Sequence, residues 1–322
     1  MQIGHKLINS LSPPLVVAEI SCNHNQNIYT ARKLIRQAKY CGCDAVKFQH
    51  YLPHHVTLEP ELLEIYHSAH MPFEWTEELV DLCNEVDIMW WSSVFDPEAV
   101  DFLEKFRPIA YKLASFELNH FPLLEKLKST GKPLIISTGM MNYSDLNWFQ
   151  IQFSAMNTML LHCVSNYPSD VKDFNLATIT AMKEQFGFEV GLSDHTRTLG
   201  VSIASVALGA RMIERHFTLK RNGGLDDEFS LEPDEMERLC VEVRNAYDSM
   251  GTIDWSVKGA TEYKRSLYAT MDIKKGDNFN DGNIGILRPN RGINAKEWYR
   301  FVKGRAREDI KKGTPLHYRH ME

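Results

Sequence analysis

The chain has 322 residues, 43% of them hydrophobic and 24% charged, with a formal net charge of −6. That is the composition of an ordinary globular protein, long enough for a barrel with an appendage, and its acidic balance argues against a nucleic-acid-binding surface. No apolar run approaches the ~20 residues that span a bilayer, Met1–Lys6 lacks a signal peptide's apolar stretch, and the six cysteines show no paired metal-ligand spacing, so the expectation is a soluble, cytoplasmic protein with reduced thiols and no membrane or nucleic-acid partner.

From Leu15 onward, short apolar runs alternate with helical patterns. Leu15–Ile20 is the first strand, and Ala31, Leu34, Ile35 and Ala38 recur at helical spacing until Gly42 ends the helix. Ala45–Gln49 is the second strand. Leu52–Trp75, with three prolines and four histidines, reads as a long irregular excursion of the kind that is functional or disordered. Thr76 then N-caps a helix to Val86. Ile88–Ser93, Ala110–Ser115, Leu134–Gly139, Met159–Ser165, Val190–His195 and Met212–Phe217 supply six more strands, with Asp96-Pro97 opening one intervening helix. Eight strands over roughly 240 residues match an α/β TIM (β/α)8 barrel. A doubly wound sheet fits less well, because no Gly-rich phosphate turn follows the first strand.

In such a barrel, chemistry lies at the C-terminal strand ends. There the sequence places Glu19, Lys47, Gln49, Ser93, Lys112, Ser115, Ser137, Ser165, Ser193, His195 and His216. His195 and His216 end two parallel strands joined by one crossover helix, so they converge on the same side of the sheet. A pair of imidazoles suits a divalent metal, or else each ring is satisfied by ordinary hydrogen bonds. Two lysines among hydroxyls suit a phosphate, since ammonium brings charge and hydroxyls bring directed donors. The mouth reads as a site for a phosphorylated anion beside a metal-held second substrate.

After Gly251 the pattern changes to short β-like segments, and the division expected is 1–258 for the barrel and 259–322 for a small β-rich domain. Asp272-Ile273-Lys274-Lys275-Gly276 and Asp309-Ile310-Lys311-Lys312-Gly313 nearly repeat one another, each reading as a tight turn. So small a module is expected to have little core of its own.

Five stretches stand in an order and spacing that resemble the sialic acid synthase family across nearly the whole chain. They are Ala18–Asn25, Asp44–Gln49, Gly131–Met140, Ser193–Thr196 and Glu214–Thr218, and the tail resembles the antifreeze-like (SAF) module of those enzymes. Tyr111–Glu117, His70–Trp75 and Gly223–Pro233 point within the family to the branch whose sugar is a 2,4-diacetamido-2,4,6-trideoxy hexose. N-acetylneuraminate or legionaminate synthesis by the same mechanism is the alternative. The resemblance implies condensation of phosphoenolpyruvate with an amino sugar and release of phosphate. It implies that His195 and His216 hold Mn²⁺ (or Mg²⁺ or Co²⁺), and that Lys47, Ser93, Lys112, Ser115, Ser137 and Ser193 hold phosphoenolpyruvate. Gln49, Tyr167 and Asp226 would line the sugar pocket, with Glu19 transferring a proton or stabilising developing charge. Arg288, or the nearby Arg291, would reach in from the SAF module of the other subunit of a domain-swapped homodimer. From other classes, a metal-dependent hydrolase on the same barrel would want further ligands that Asn23-His24-Asn25 does not supply, and a non-catalytic sugar-binding protein would not need these groups together.

Overall fold

The structure, a computed structural model, describes residues 1–154 and 156–322. Among these residues, eight parallel strands close into a barrel: β3 (Leu15–Glu19), β4 (Ala45–His50), β5 (Met89–Val94), β6 (Tyr111–Leu113), β7 (Leu134–Ser137), β8 (Thr158–Cys163), β9 (Glu189–Asp194) and β10 (Met212–His216), with β10 pairing back onto β3. The main helices that follow the strands are α1 (Ile28–Tyr40), α4 (Thr76–Glu85), α5 (Pro97–Leu103), α6 (Phe121–Thr130), α7 (Tyr143–Phe153), α8 (Ala177–Phe186), α9 (Gly200–Ala207) and α10 (Pro233–Met250). The strands are buried on both faces, which is why they read as continuous apolar runs and not as alternating ones. This is the expected α/β barrel.

Two local expectations are corrected. The excursion at 52–75 is not irregular: it forms α2 (Pro53–Val56), α3 (Pro60–Ala69) and a short 3-10 turn, Phe73–Trp75. Pro53 and Pro60 open these helices at a position where the missing N–H costs nothing, so they start helices instead of breaking them. Thr76 is not a cap. Trp75 holds the N-cap position without a side-chain bond, and the Thr76 hydroxyl instead meets His50 Nε2 at 2.9 Å. The fourth barrel strand is also shorter than expected, because Ser115 already begins a 3-10 turn.

An N-terminal hairpin, β1 (Gln2–Ile3) with β2 (Lys6–Leu7), was not anticipated. Ile3 and Ile8 are buried in one cluster with Val17, Trp91, Ile135, Met159 and Met212, so the hairpin packs into the end of the barrel away from the strand C-termini. Inside the wall, a Cβ added at Gly191 would meet Met212 O at 2.6 Å, so only glycine lets β9 and β10 approach there.

Residues Thr252–Glu322 form a second compact unit, the first being Met1–Gly251. The expected boundary at 258/259 falls in the exposed stretch that follows Gly251. The second unit contains an antiparallel pair, β11 (Ser266–Ala269) with β12 (Ile284–Leu287), and a short helix, α11 (Trp298–Phe301). It has more core than the sequence suggested, with Leu267, Ile273, Phe279, Ile284, Phe301, Ile310 and Leu316 all buried together. The two near-repeats face each other: Ile273 and Ile310 bridge antiparallel, Lys274 Nζ meets Asp309 and Lys311 Nζ meets Asp272, each at 2.8 Å. Each aspartate also accepts a backbone N–H of the opposite repeat, from Lys275 at 2.9 Å and Lys312 at 2.8 Å. Gly276 and Gly313, at φ +85° and +81°, make the matching turns.

Candidate active site

Strand register assembles the site. Glu19 lies beside Lys47 on one side and His216 on the other, Gln49 beside Ser93, Ser93 beside Lys112, and Ser193 beside Glu214. Side chains two apart share a face, so Lys47 with Gln49, Ser193 with His195, and Glu214 with His216 all turn inward. The intervening Asp194 and Arg215 turn outward under α9, where Arg215 bonds Asp194 at 2.6 Å and the Thr198 carbonyl at 2.9 Å. Both are fully buried, and Ser202 adds a hydroxyl to the same carboxylate. This outward pair fixes the loop that follows the His195 strand.

The inward floor is a quartet of buried charges. Lys47 pairs with Glu19 and donates to Ser93 Oγ at 2.8 Å, and Lys112 donates to Ser137 Oγ at 2.6 Å. Between the lysines sits Glu214, 3.7 Å from Lys47 and 4.0 Å from Lys112, accepting from Ser193 Oγ at 3.1 Å. Burial alone would lower the Lys47 ammonium, but the Glu19 and Glu214 carboxylates hold it above its ordinary value. Burial lowers Lys112 in spite of Glu214. Burial also pushes the Glu19 carboxyl up against the pull of Lys47, whereas the two lysines and His216 overcome burial and hold Glu214 down. One carboxyl is thus the readier to carry a proton and the other to stay ionised.

Beside the floor stand the two imidazoles, ring centroids 5.4 Å apart. His195 Nδ1 bonds the Val164 carbonyl at 2.9 Å, and that acceptor requires the proton on Nδ1. His216 Nδ1 lies 3.1 Å from the Asp226 carboxylate. His195 Nε2 carries a lone pair with Ser193 Oγ 3.5 Å away, and each ring stands against a carbonyl or a carboxylate, as metal-binding histidines commonly do. Burial, reinforced by His216, holds His195 down to about 3, so it is neutral near pH 7. Among the described residues, no group of three or more His, Cys, Asp or Glu side chains is gathered to hold an ion. His195 and His216 alone could hold a divalent ion only with water or substrate filling its remaining positions.

The structure brings nearly all the expected residues into one cavity of about 450 Å³, which Lys47, Gln49, Ser93, Lys112, Ser115, Ser137, Tyr167, Ser193, His195, His216 and Asp226 all line. Glu19 lies beneath, bonded by Gln49 and by the Ser21 backbone N–H. Tyr167 lies over His195, with centroids 4.2 Å apart, and Ser115 meets Ser165 at 3.2 Å. Asp226, expected at the sugar, also anchors His216. Arg288 lies in the second unit, exposed just after β12. Glu214 was missed as a site residue. Its signal was the parity of its strand, two positions before His216 and on the same face.

The chain belongs to the NeuB family, whose profile matches residues 34–254, and a SAF domain matches residues 264–322. It is 36% identical to the pseudaminic acid synthase of Campylobacter jejuni, over 98% of each chain. It is 33% identical to the N,N'-diacetyllegionaminic acid synthase of the same species, over 89% of this chain and 94% of the other. Among solved structures, the N-acetylneuraminic acid synthetase of Leptospira borgpetersenii superposes with a TM-score of 0.76 at 27% identity, over 80% of this chain and 92% of that one. The family expected from the sequence is found, and synthases of the expected branch are among the relatives that match.

Proposed function

We propose that the chain is a nonulosonate synthase of the pseudaminic acid type, condensing phosphoenolpyruvate with a 2,4-diacetamido-2,4,6-trideoxy hexose and releasing phosphate. The observation that carries this reading is the buried Lys47–Glu19–Glu214–Lys112 floor beside two imidazoles whose centroids lie 5.4 Å apart. The similarity to pseudaminic and legionaminic acid synthases supports it.

Phosphoenolpyruvate is a compact polyanion. Lys47 and Lys112 supply its countercharge, and Ser93, Ser115, Ser137 and Ser193 supply directed donors from buried positions, where such bonds are strongest. A divalent ion held by His195 and His216, Mn²⁺ first among Mn²⁺, Mg²⁺ and Co²⁺, would supply Lewis-acid polarisation of the sugar's aldehyde. C3 of the enol attacks the aldehyde carbon, the new oxygen takes a proton, and water adds at C2 while giving one up. The resulting tetrahedral centre collapses by C–O cleavage to release phosphate. In this reading Glu19, pushed up by burial, gives the proton, and Glu214, held down between lysines, accepts one. Gln49, Tyr167 and Asp226 hold the sugar. Arg288, or Arg291, completes the pocket from a partner subunit in a swapped homodimer.

The test is phosphate release from phosphoenolpyruvate with and without an acetamido sugar, in chelator and after adding Mn²⁺. Release that needs both sugar and metal, and that disappears in His195→Ala and His216→Ala, is expected. Sugar-independent release, or full activity of either variant in chelator, would overturn the reading.

A further inference from the structure

The segment between β10 and α10 carries Asp226 and returns to the barrel at Leu231. Backbone bonds close its neck, from Thr218 N–H to the Leu231 carbonyl at 3.0 Å and from Leu231 N–H to the His216 carbonyl at 2.8 Å. Asp227 closes its tip, where one carboxylate oxygen accepts the Asn222 and Gly224 N–H groups at 2.9 and 2.7 Å. Ser230, fully buried, meets Asn23, equally buried, which comes from the loop after β3. Asn23 Nδ2 donates to the Phe217 carbonyl and to Ser230 Oγ, both at 2.9 Å. A carbonyl can only accept, so the nitrogen end of this amide is fixed. The serine hydroxyl has one proton and gives it to the Asp226 carbonyl at 2.7 Å, which the Ser230 N–H also reaches at 3.2 Å. These bonds run in one direction, from Asn23 through Ser230 to Asp226. Asn23 also grips the residue next to His216.

We propose that Asn23 and Ser230 are positioning residues, whose directed chain holds the Asp226 carboxylate against His216 and so sets the aim of that ring toward a divalent ion. The proposal rests on the synthase reading for the ion at His216. The Asp226 carboxylate stands 3.1 Å from His216 Nδ1, and a ligating imidazole is oriented by what its other nitrogen meets. Asn23 and Ser230 act at one remove, on the backbone that carries this carboxylate. Both are shut off from solvent, so a deleted link leaves a buried partner unsatisfied and the segment free to shift.

The experiment titrates Mn²⁺ into the full-length protein and reads the free ion by its electron-spin signal. Asn23→Asp keeps the shape of the side chain but turns its donor into an acceptor. It sets a carboxylate oxygen against the Phe217 carbonyl and draws the Ser230 proton away from Asp226. Because it also buries a charge, Ser230→Ala, which does not, is measured beside it. Circular dichroism and thermal melts establish that each is folded at the temperature of the titration. Each variant should bind Mn²⁺ roughly tenfold more weakly, and the double variant no more weakly than the worse single one. The KM for phosphoenolpyruvate at saturating Mn²⁺ should stay unchanged, since the lysine floor is untouched. A folded single variant that binds Mn²⁺ as the wild type does, with a lower melting temperature alone, overturns the proposal, as do losses that multiply in the double variant. Should Mn²⁺ binding be absent from the wild type, or persist in His216→Ala, the metal part of the synthase reading falls and takes the proposal with it.

Discussion

The barrel and the second unit use the same chemical pairs to opposite ends. In the barrel, Asp194 and Arg215 are paired with no exposure at all, and Lys47 meets Glu19 nearly as deeply. In the second unit, Lys274–Asp309 and Lys311–Asp272 sit with more than half of every side chain in solvent. The charges also divide: residues 1–251 carry 21 Lys and Arg against 33 Asp and Glu, and residues 252–322 carry 15 against 9. Depth decides what a pair is for. Buried charges are costly to strand, so they hold a geometry rigidly, whereas exposed ones mark a turn that backbone bonds already define.

The comparison breaks most visibly at Asp194. Asp194→Ala leaves the Arg215 guanidinium buried and unpaired and should cost about 3–5 kcal/mol in urea unfolding of the barrel. A loss near zero would mean that water reaches this pair. Next in size is Glu214→Gln. Removing one carboxylate from between two lysines should lower kcat by about 10²–10⁴ if Glu214 takes a proton. The freed positive charge should at the same time lower the KM for phosphoenolpyruvate. A rise in KM with kcat unchanged would make Glu214 a binding group only.

A smaller effect separates a carboxyl at the edge of this region. Burial, with the Asp96 charge adding to it, pushes Glu117 up to about 7. Between its unfolded value of 4.5 and about 7 the folded state holds the extra proton, so this group costs stability as pH rises through that window. Glu117→Gln should therefore stabilise the protein at pH 8 by roughly 1–2 kcal/mol after allowing for partial exposure, and change nothing at pH 4. Thermal melts at both pH values read the sign. Least of all, Lys274→Ala with Lys311→Ala should leave the unfolding midpoint of the second unit where it was, because Asp309 and Asp272 keep their backbone partners. A clear drop would show that exposed pairs carry more here than their exposure allows.

The barrel was legible because doubly buried parallel strands are uninterrupted apolar runs, as in Val190–Leu192 and Met212–Ile213. The inward residues were legible because polar groups at strand ends stand out against those runs. Other features were hidden for physical reasons. Pro53 and Pro60 read as breakers, although at a helix start they are neutral. A hairpin with two residues per strand leaves no period to detect. Glu214 was masked by its neighbours in Glu-Arg-His, where only alternation tells the inward group from the outward one. That Leu62 and Ile65 line the cavity was missed because, half exposed, they look like ordinary surface in the sequence.

The reciprocal pairing of the two repeats bears on how the chain is made. Asp272 meets Lys311 across 39 positions and Lys274 meets Asp309 across 35, so neither turn finds its partner within its own half. During synthesis the barrel strands can begin pairing with their predecessors as each emerges, but the second unit has to wait. Until residues 309–316 leave the ribosome, Ile273 lacks its bridge partner Ile310 and the cluster lacks Ile310 and Leu316. A ribosome paused before that point would hold a barrel trailing an open, basic tail.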